Sequence, residues 1–299
     1  MTQREHVVVP GTRARLAGNL FLPDAPSGGA PAPLPAVVVA GTWTSVKEQM
    51  ADRYAERLAR LGYAALSFDF TGFGASGGEP RDTESPGAKT DDIRQAVTFL
   101  TGHPRVDAGR VGALGICAGA MYVSAAAAED ERVRALALVA PWLHDADICR
   151  DAYGGDAEVA RRLDAGRAAR SVYESTGEVE YVPMVSGHDP RAALPYDIDF
   201  YLNPERGGVP AWPNRFAVMA WPQWLGFDAI ALAPRIDRPV LLVHSPDAAI
   251  PDGARRFHEA LAGKKRLHWT TGSQFDFYDQ EPQVTIALTE AGRHFGEFL

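Results

Sequence analysis

Gly115-Ile116-Cys117-Ala118-Gly119 is the stretch whose reading decides the fold. It follows Gly-x-Cys-x-Gly, the pattern of a nucleophile elbow with cysteine where serine usually stands. An apolar run from Val111 to Leu114 precedes it, and a small-residue run from Ala120 to Ala128 follows. The pattern therefore sits between a strand and a helix, the context it needs to carry meaning. The flanking glycines let the backbone bend sharply and bring strand and helix close together. Such a turn lifts the thiol above the sheet edge. The helix start beneath it offers free N–H groups and the positive end of a dipole, both of which favour a thiolate.

Working outward, extended segments are expected near His6–Val9 and Arg13–Leu22, then a Pro/Gly/Ala/Ser loop over Pro23–Pro35. Strand-length apolar runs follow at Pro35–Ala40, Ala64–Phe70, Val133–Ala140, Pro239–His244 and Arg266–Thr270. Between them the apolar spacing predicts helices over Glu48–Leu61, Asp91–Leu100, Gly253–Leu261 and Pro282–Phe298. Alternating strands and helices imply right-handed βαβ units and a mostly parallel sheet flanked by helices. The rhythm breaks between Pro141 and Ala233, a stretch rich in tryptophan and tyrosine. Structureless loops of that length are rare in compact domains. We therefore expect an inserted, largely helical cap over residues 144–228, with helices near Ala157–Tyr173 and Pro222–Ala231, and a core formed by residues 1–143 and 229–299.

The chain of 299 residues carries a net charge of −8 without a lysine or arginine cluster, which argues against nucleic-acid and membrane partners. No apolar run approaches the roughly 20 residues of a membrane helix, and the polar start lacks the apolar core of a signal peptide. Two cysteines make no disulfide framework. The expectation is a reduced, cytoplasmic protein. Cys149 stands in a polar context and reads as incidental. Gly72-x-Gly74-x-x-Gly77 formally matches a dinucleotide fingerprint, but Gly78-Glu79-Pro80 continues the turn where a helix should begin. Histidine, cysteine and acidic spacings suggest no metal site, and no cofactor is expected.

Three segments carry chemistry: the elbow, the strand end Val243-His244-Ser245-Pro246-Asp247, and the loop Thr271-Gly272-Ser273-Gln274-Phe275-Asp276-Phe277-Tyr278-Asp279. With Asp69-Phe70-Thr71-Gly72-Phe73-Gly74-Ala75-Ser76 and Val46-Lys47-Glu48-Gln49-Met50, these resemble the α/β-hydrolase superfamily, and within it dienelactone-hydrolase-like proteins and hydrolases or acyltransferases of polyketide pathways. The resemblance implies an α/β-hydrolase fold, Cys117 as nucleophile and Asp247 as the acid of the triad. It also implies an oxyanion hole made by the N–H of Ala118 with that of Thr42 or Trp43. Homodimers are common by the same resemblance, although the sequence offers no interface.

The departures are equally specific. Gln274 holds the position of the family's histidine, and glutamine has no titratable nitrogen to act as general base. Among the eight histidines, His144 and His188 are the candidates for a surrogate base. His6, His103, His258 and His294 fall on surface-like segments. Trp142, Trp221 and Trp224 are candidates to line a pocket for a small, apolar or aromatic substrate. The reading is a hydrolase or acyl-transfer enzyme acting on an ester, lactone or thioester. A non-hydrolytic lyase, isomerase or cyclase of natural-product biosynthesis, and a catalytically inactive ligand-binding protein, remain open beside it.

Overall fold

A computed structural model describes residues 2–24 and 32–299. Much of the loop expected over Pro23–Pro35 lies outside the described residues. The chain opens with β1 (Thr2–Pro10) and β2 (Arg15–Pro23), then β3 (Leu34–Ala40), α1 (Ala51–Arg60), β4 (Ala64–Phe68), α2 (Pro86–Thr101), β5 (Val106–Ile116), α3 (Gly119–Glu129) and β6 (Val133–Val139). It continues outside the sheet through α4 (Ala146–Ala152), α5 (Asp156–Thr176), β7 (Tyr181–Pro183), α6 (Asp199–Leu202), β8 (Arg215–Ala217) and α7 (Trp221–Leu225). It then returns through β9 (Val240–His244), α8 (Pro251–Ala260), β10 (Lys265–Trp269), α9 (Asp276–Asp279) and α10 (Gln283–Phe298).

Eight strands form one sheet in the order β1-β2-β4-β3-β5-β6-β9-β10. From β4 to β10 every neighbouring pair is parallel, while β1–β2 and β2–β4 are antiparallel. The central strands read as unbroken runs of Val, Leu and Ala because helices cover both faces. Val37, Val38, Val39, Leu136, Leu138 and Leu242 are all fully buried. Each such side chain contributes about 1.5–3 kcal/mol relative to an exposed one. This rigid centre ends at the elbow, so the core that stabilises the fold also aims Cys117.

Two helices begin elsewhere than the periodicity predicts, each for a local reason. α2 starts before Asp91: the Ser85 hydroxyl accepts from the Ala88 N–H at 3.3 Å, and Pro86 follows it, a common start signal. α1 starts later than Glu48. The Lys47 N–H is drawn to the Asp69 carboxylate at 2.8 Å, and the Val46 N–H to the Gln49 side chain at 3.1 Å, so the preceding residues stay in turns.

The inserted segment is helical at α5, close to the Ala157–Tyr173 expected. The second helix expected there divides into α7 and a 3₁₀ turn over Ile230–Arg235. A two-stranded ribbon, β7 with β8, was not apparent from the sequence. Among the described residues no helix is long and apolar enough to cross a membrane.

Candidate active site

Cys117 holds φ at +54°, a left-handed conformation that is costly for a residue with a side chain. Its N–H donates to the Val139 carbonyl at 3.0 Å, and its own carbonyl accepts from Ala120 and Trp142, both at 3.0 Å. The elbow is thus tied to β6, to α3 and to the segment leaving β6. Both glycines are required sterically. A Cβ on Gly115 would lie 2.6 Å from the Ala120 nitrogen, and one on Gly119 would lie 2.4 Å from the Ala40 carbonyl oxygen.

The sulfur is not sealed in the core. Cys117 lines a cavity with about 150 Å³ of free space. From the core come Thr42, Trp43, Ala118, Ala249, Gln274, Phe275 and Tyr278. The inserted segment and the stretch before it supply Trp142, Tyr153, Met184, Leu194, Tyr196, Tyr201 and Trp224. Among the described residues none of the lining side chains is charged and none is a histidine.

Sequence reasoning placed Cys117, Ala118, Thr42, Trp43, Gln274, Trp142 and Trp224 in one site, and the structure brings these together. Trp221 is not at the surface of the cavity. It packs behind the wall, with ring centroids 5.9 Å from Trp43 and 4.7 Å from Phe216. Trp43 stacks on Trp224 at 4.8 Å, which fixes the wall over the loop after β3.

Asp247 is exposed and lies outside the cavity lining, with its N–H on the Ser245 hydroxyl at 3.1 Å. His188 is exposed as well and does not reach the cavity.

His144 is fully buried but structural. Its Nδ1 accepts from the Trp142 indole N–H at 2.8 Å and its Nε2 faces the Trp224 carbonyl at 3.0 Å. Burial holds its pKa down at about 4, so the ring is neutral with both nitrogens occupied. It braces two tryptophans of the wall and does not line the cavity. His294, expected on the surface, is also buried, on the inner face of α10.

The thiol itself departs from the expectation of a ready thiolate. Burial raises its pKa, opposed by the Thr42 and Tyr278 hydroxyls, the Ala118 N–H and the Gln274 amide. Desolvation therefore outweighs these hydrogen bonds. Cys149 is buried too, which pushes it to about 12. The lining residues that sequence reasoning did not single out are Tyr278, Phe275, Ala249, Met184 and Leu194, together with Tyr153, Tyr196 and Tyr201, which it read only as aromatics of the inserted stretch. For Tyr278 a signal existed: it follows Gln274 by four positions, one helical turn.

The loop after β3 is pinned from below by two buried carboxylates. Glu84 accepts from the Thr44 N–H at 2.9 Å, from Lys89 Nζ at 2.8 Å and from the Tyr122 hydroxyl at 2.6 Å. Lys89 is buried among rings, with Phe70 and Phe73 centroids 4.7 and 4.4 Å from its nitrogen. Asp69 takes the Lys47 N–H, Lys47 Nζ at 2.7 Å and the Ala75 N–H at 2.9 Å. Thr44, at φ +53°, has its carbonyl held by the Trp212 indole at 3.0 Å. On the far side, Arg206 grips Asp279 with two parallel bonds of 2.8 and 2.6 Å, joining the inserted segment to α9.

A family model described as X-Pro dipeptidyl-peptidase (S15 family) matches residues 11–177, more than half of the chain. The chain belongs to this family. Its fold is that of the α/β-hydrolases. An uncharacterized Pseudomonas aeruginosa protein, PA2218, is 30% identical over 281 residues, 90% of this chain and 74% of that protein. The crystal structure of PA2218 superposes with a TM-score of 0.87 at 26% identity, covering 100% of this chain and 94% of that one. The thiohydrolase aneE of Aspergillus aculeatus is 30% identical over 61% of this chain and 54% of its own length. The polyketide transferase grgF of a Penicillium species is 26% identical over 80% of this chain and 83% of its own. The GrgF crystal structure, at 22% identity and a TM-score of 0.81, covers 98% of this chain and 99% of that one.

Proposed function

We propose that this protein transfers an uncharged, apolar acyl group from an ester or thioester through Cys117. The observation that carries the reading is a cysteine held left-handed on an elbow, with its sulfur opening onto a cavity free of charged side chains. In the first step Sγ attacks the acyl carbon and the carbonyl electrons move onto oxygen. The N–H groups of Ala118 and of Thr42 or Trp43 receive that oxyanion. Each such donor is typically worth about 10²–10³ in rate. Collapse breaks the bond to the leaving group, which departs with the proton the thiol gave up. An acceptor carrying its own proton then attacks the thioester, the S–C bond breaks and the thiol is restored.

Cysteine suits a site without a histidine, because a thiol gives up its proton more readily than a hydroxyl and is intrinsically the stronger nucleophile. With no lining group able to take a proton from water, hydrolysis of the acyl-enzyme is slow. Transfer to an amine, thiol or activated hydroxyl is therefore favoured over transfer to water. An engineered cavity of about 150 Å³ holds benzene, so the buried part of the substrate is an aryl or short branched acyl group. Thiohydrolase and polyketide-transferase relatives make a thioester donor the first choice.

The test is intact-protein mass spectrometry after mixing with benzoyl and isobutyryl thioesters of N-acetylcysteamine. One acyl group should appear, mapped to Cys117, and Cys117→Ala should form no adduct and lose turnover by at least 10³-fold. A Cys117→Ala protein that turns the thioester over at near the native rate would falsify covalent transfer.

A further inference from the structure

We infer that Tyr278 is a catalytic hydrogen-bond donor to the Cys117 sulfur, oriented by Gln274, and that this pair takes over the electrostatic part of the missing imidazole's work. The inference rests on Cys117 being the nucleophile. It starts from the glutamine. Its Oε1 accepts from the Ala249 N–H at 3.0 Å, and its Nε2 donates to the Ala140 carbonyl at 2.9 Å and to the Tyr278 oxygen at 3.3 Å. The first partner can only donate and the second can only accept, so the amide has one orientation. The Gln274 amide is thus anchored on both sides, with its nitrogen turned to Ala140 and Tyr278.

The consequence falls on Tyr278. Its oxygen already receives a hydrogen bond, so its own hydrogen points elsewhere. Cys117, which lines the same cavity, and Tyr201, with ring centroids 6.5 Å apart, are its other neighbours. Burial raises the phenol pKa well above its ordinary value, so the group stays protonated and acts as a donor rather than a base. The remaining titratable groups felt by the sulfur are the phenols of Tyr122, from α3, and Tyr201, from α6, both also held neutral by burial. No carboxylate or cation lines the cavity among the described residues. Neutral donors are therefore what offsets the desolvation of a thiolate here, and Tyr278 is the side chain whose proton is steered by a partner with no alternative orientation.

The test measures the rate of Cys117 alkylation by iodoacetamide between pH 6 and 11, with peptide mapping to separate Cys117 from Cys149. A hydrogen bond to a charged group is worth enough to shift an ionisation by about one unit or more. Tyr278→Phe should move the Cys117 profile to higher pH and slow alkylation near neutrality about tenfold, with a similar fall in acyl-transfer kcat/KM. Placing 3-fluorotyrosine at 278, a near-isosteric and stronger donor, should move the profile the other way. Tyr201→Phe, which leaves the steered proton in place, should shift it less. If the Tyr278→Phe and fluorotyrosine profiles both superimpose on the native one, the inference is overturned. If Cys117 alkylates as described but Cys117→Ala retains turnover, the nucleophile reading fails instead, while the phenol's effect on the sulfur has been measured separately.

Discussion

Beneath the loop after β3, two buried carboxylates grip backbone N–H groups; around the loops after β9 and β10, no carboxylate among the described residues lines the cavity at the sulfur. Glu84 and Asp69 hold Thr44 and Lys47 from below, each with a lysine as counter-ion. Across the cavity, Asp247 faces solvent and Gln274 makes three neutral hydrogen bonds. The flank that would receive the oxyanion is thus held by charge directly beneath it; on the flank that usually moves protons the side chain at the cavity, Gln274, is held by dipoles, and charge enters only at the end of α9, where Arg206 holds Asp279. Charged anchors fix geometry at a heavy desolvation cost, whereas neutral ones fix it cheaply and have no proton to exchange. Preorganisation and proton transfer are therefore separable parts of this fold, and this chain keeps the first.

The strongest way to break that contrast is Lys89→Met. It leaves Glu84 buried without a counter-ion and should cost about 3–5 kcal/mol, read as a lower urea midpoint. Glu84→Gln combined with Lys89→Met should recover much of the loss. If the single variant loses under about 1 kcal/mol, the charged anchor is not what holds the loop.

Acid should separate the flanks next. His144 braces the wall as a neutral ring with its folded pKa at about 4. Because this lies below the unfolded value of about 6.5, the unfolded chain binds the extra proton and stability falls as pH drops from about 6.5 to 4. At pH 5 the loss is about 2 kcal/mol for such a histidine. His244 and His294, also buried and also at about 4, act in the same direction. Asp92, raised by burial to about 6, and Asp69, raised by burial, have the opposite sign and gain folded stability as they take up protons. Urea midpoints between pH 7 and 4.5 should fall, and His144→Gln should reduce the slope by about one proton. An unchanged slope would assign the acid sensitivity to other groups.

Arg206→Lys should cost about 1–2 kcal/mol by exchanging a bidentate fork for a point charge. It should also lower acyl-transfer kcat/KM, because it loosens the helix that carries Tyr278 to the cavity. The smallest effect is the most pointed. Asp247→Asn should change stability by less than about 0.5 kcal/mol, as at other exposed sites, and turnover by less than about twofold. A tenfold loss of turnover would restore Asp247 to the chemistry and erase the contrast.

What the sequence made legible follows from where local rules suffice. The elbow, its glycines and the flanking apolar runs are local and singled out Cys117; the resemblance to α/β-hydrolases then put Ala118, Thr42, Trp43 and Gln274 beside it, and all five line one cavity. Gln274 was legible as a position but not as a role, because its partners, Ala140 and Ala249, are 134 and 25 residues away. His144 looked available because nothing nearby in sequence announces the Trp224 carbonyl, 80 residues on. Trp221 and Trp224 stand one turn apart, and only packing against Trp43 and Phe216 decides which meets the cavity. Met184 and Leu194 come from irregular backbone, where no period links a residue to a face.

Gly115 and Gly119 leave no room for even one extra carbon, which divides the molecule for anyone wishing to retarget it. Libraries spent on the elbow would return misfolded chains. Positions 153, 184, 194 and 196 line the cavity from outside the sheet, so directed evolution there can reshape which acyl chains are accepted while the turn carrying the sulfur stays as it is.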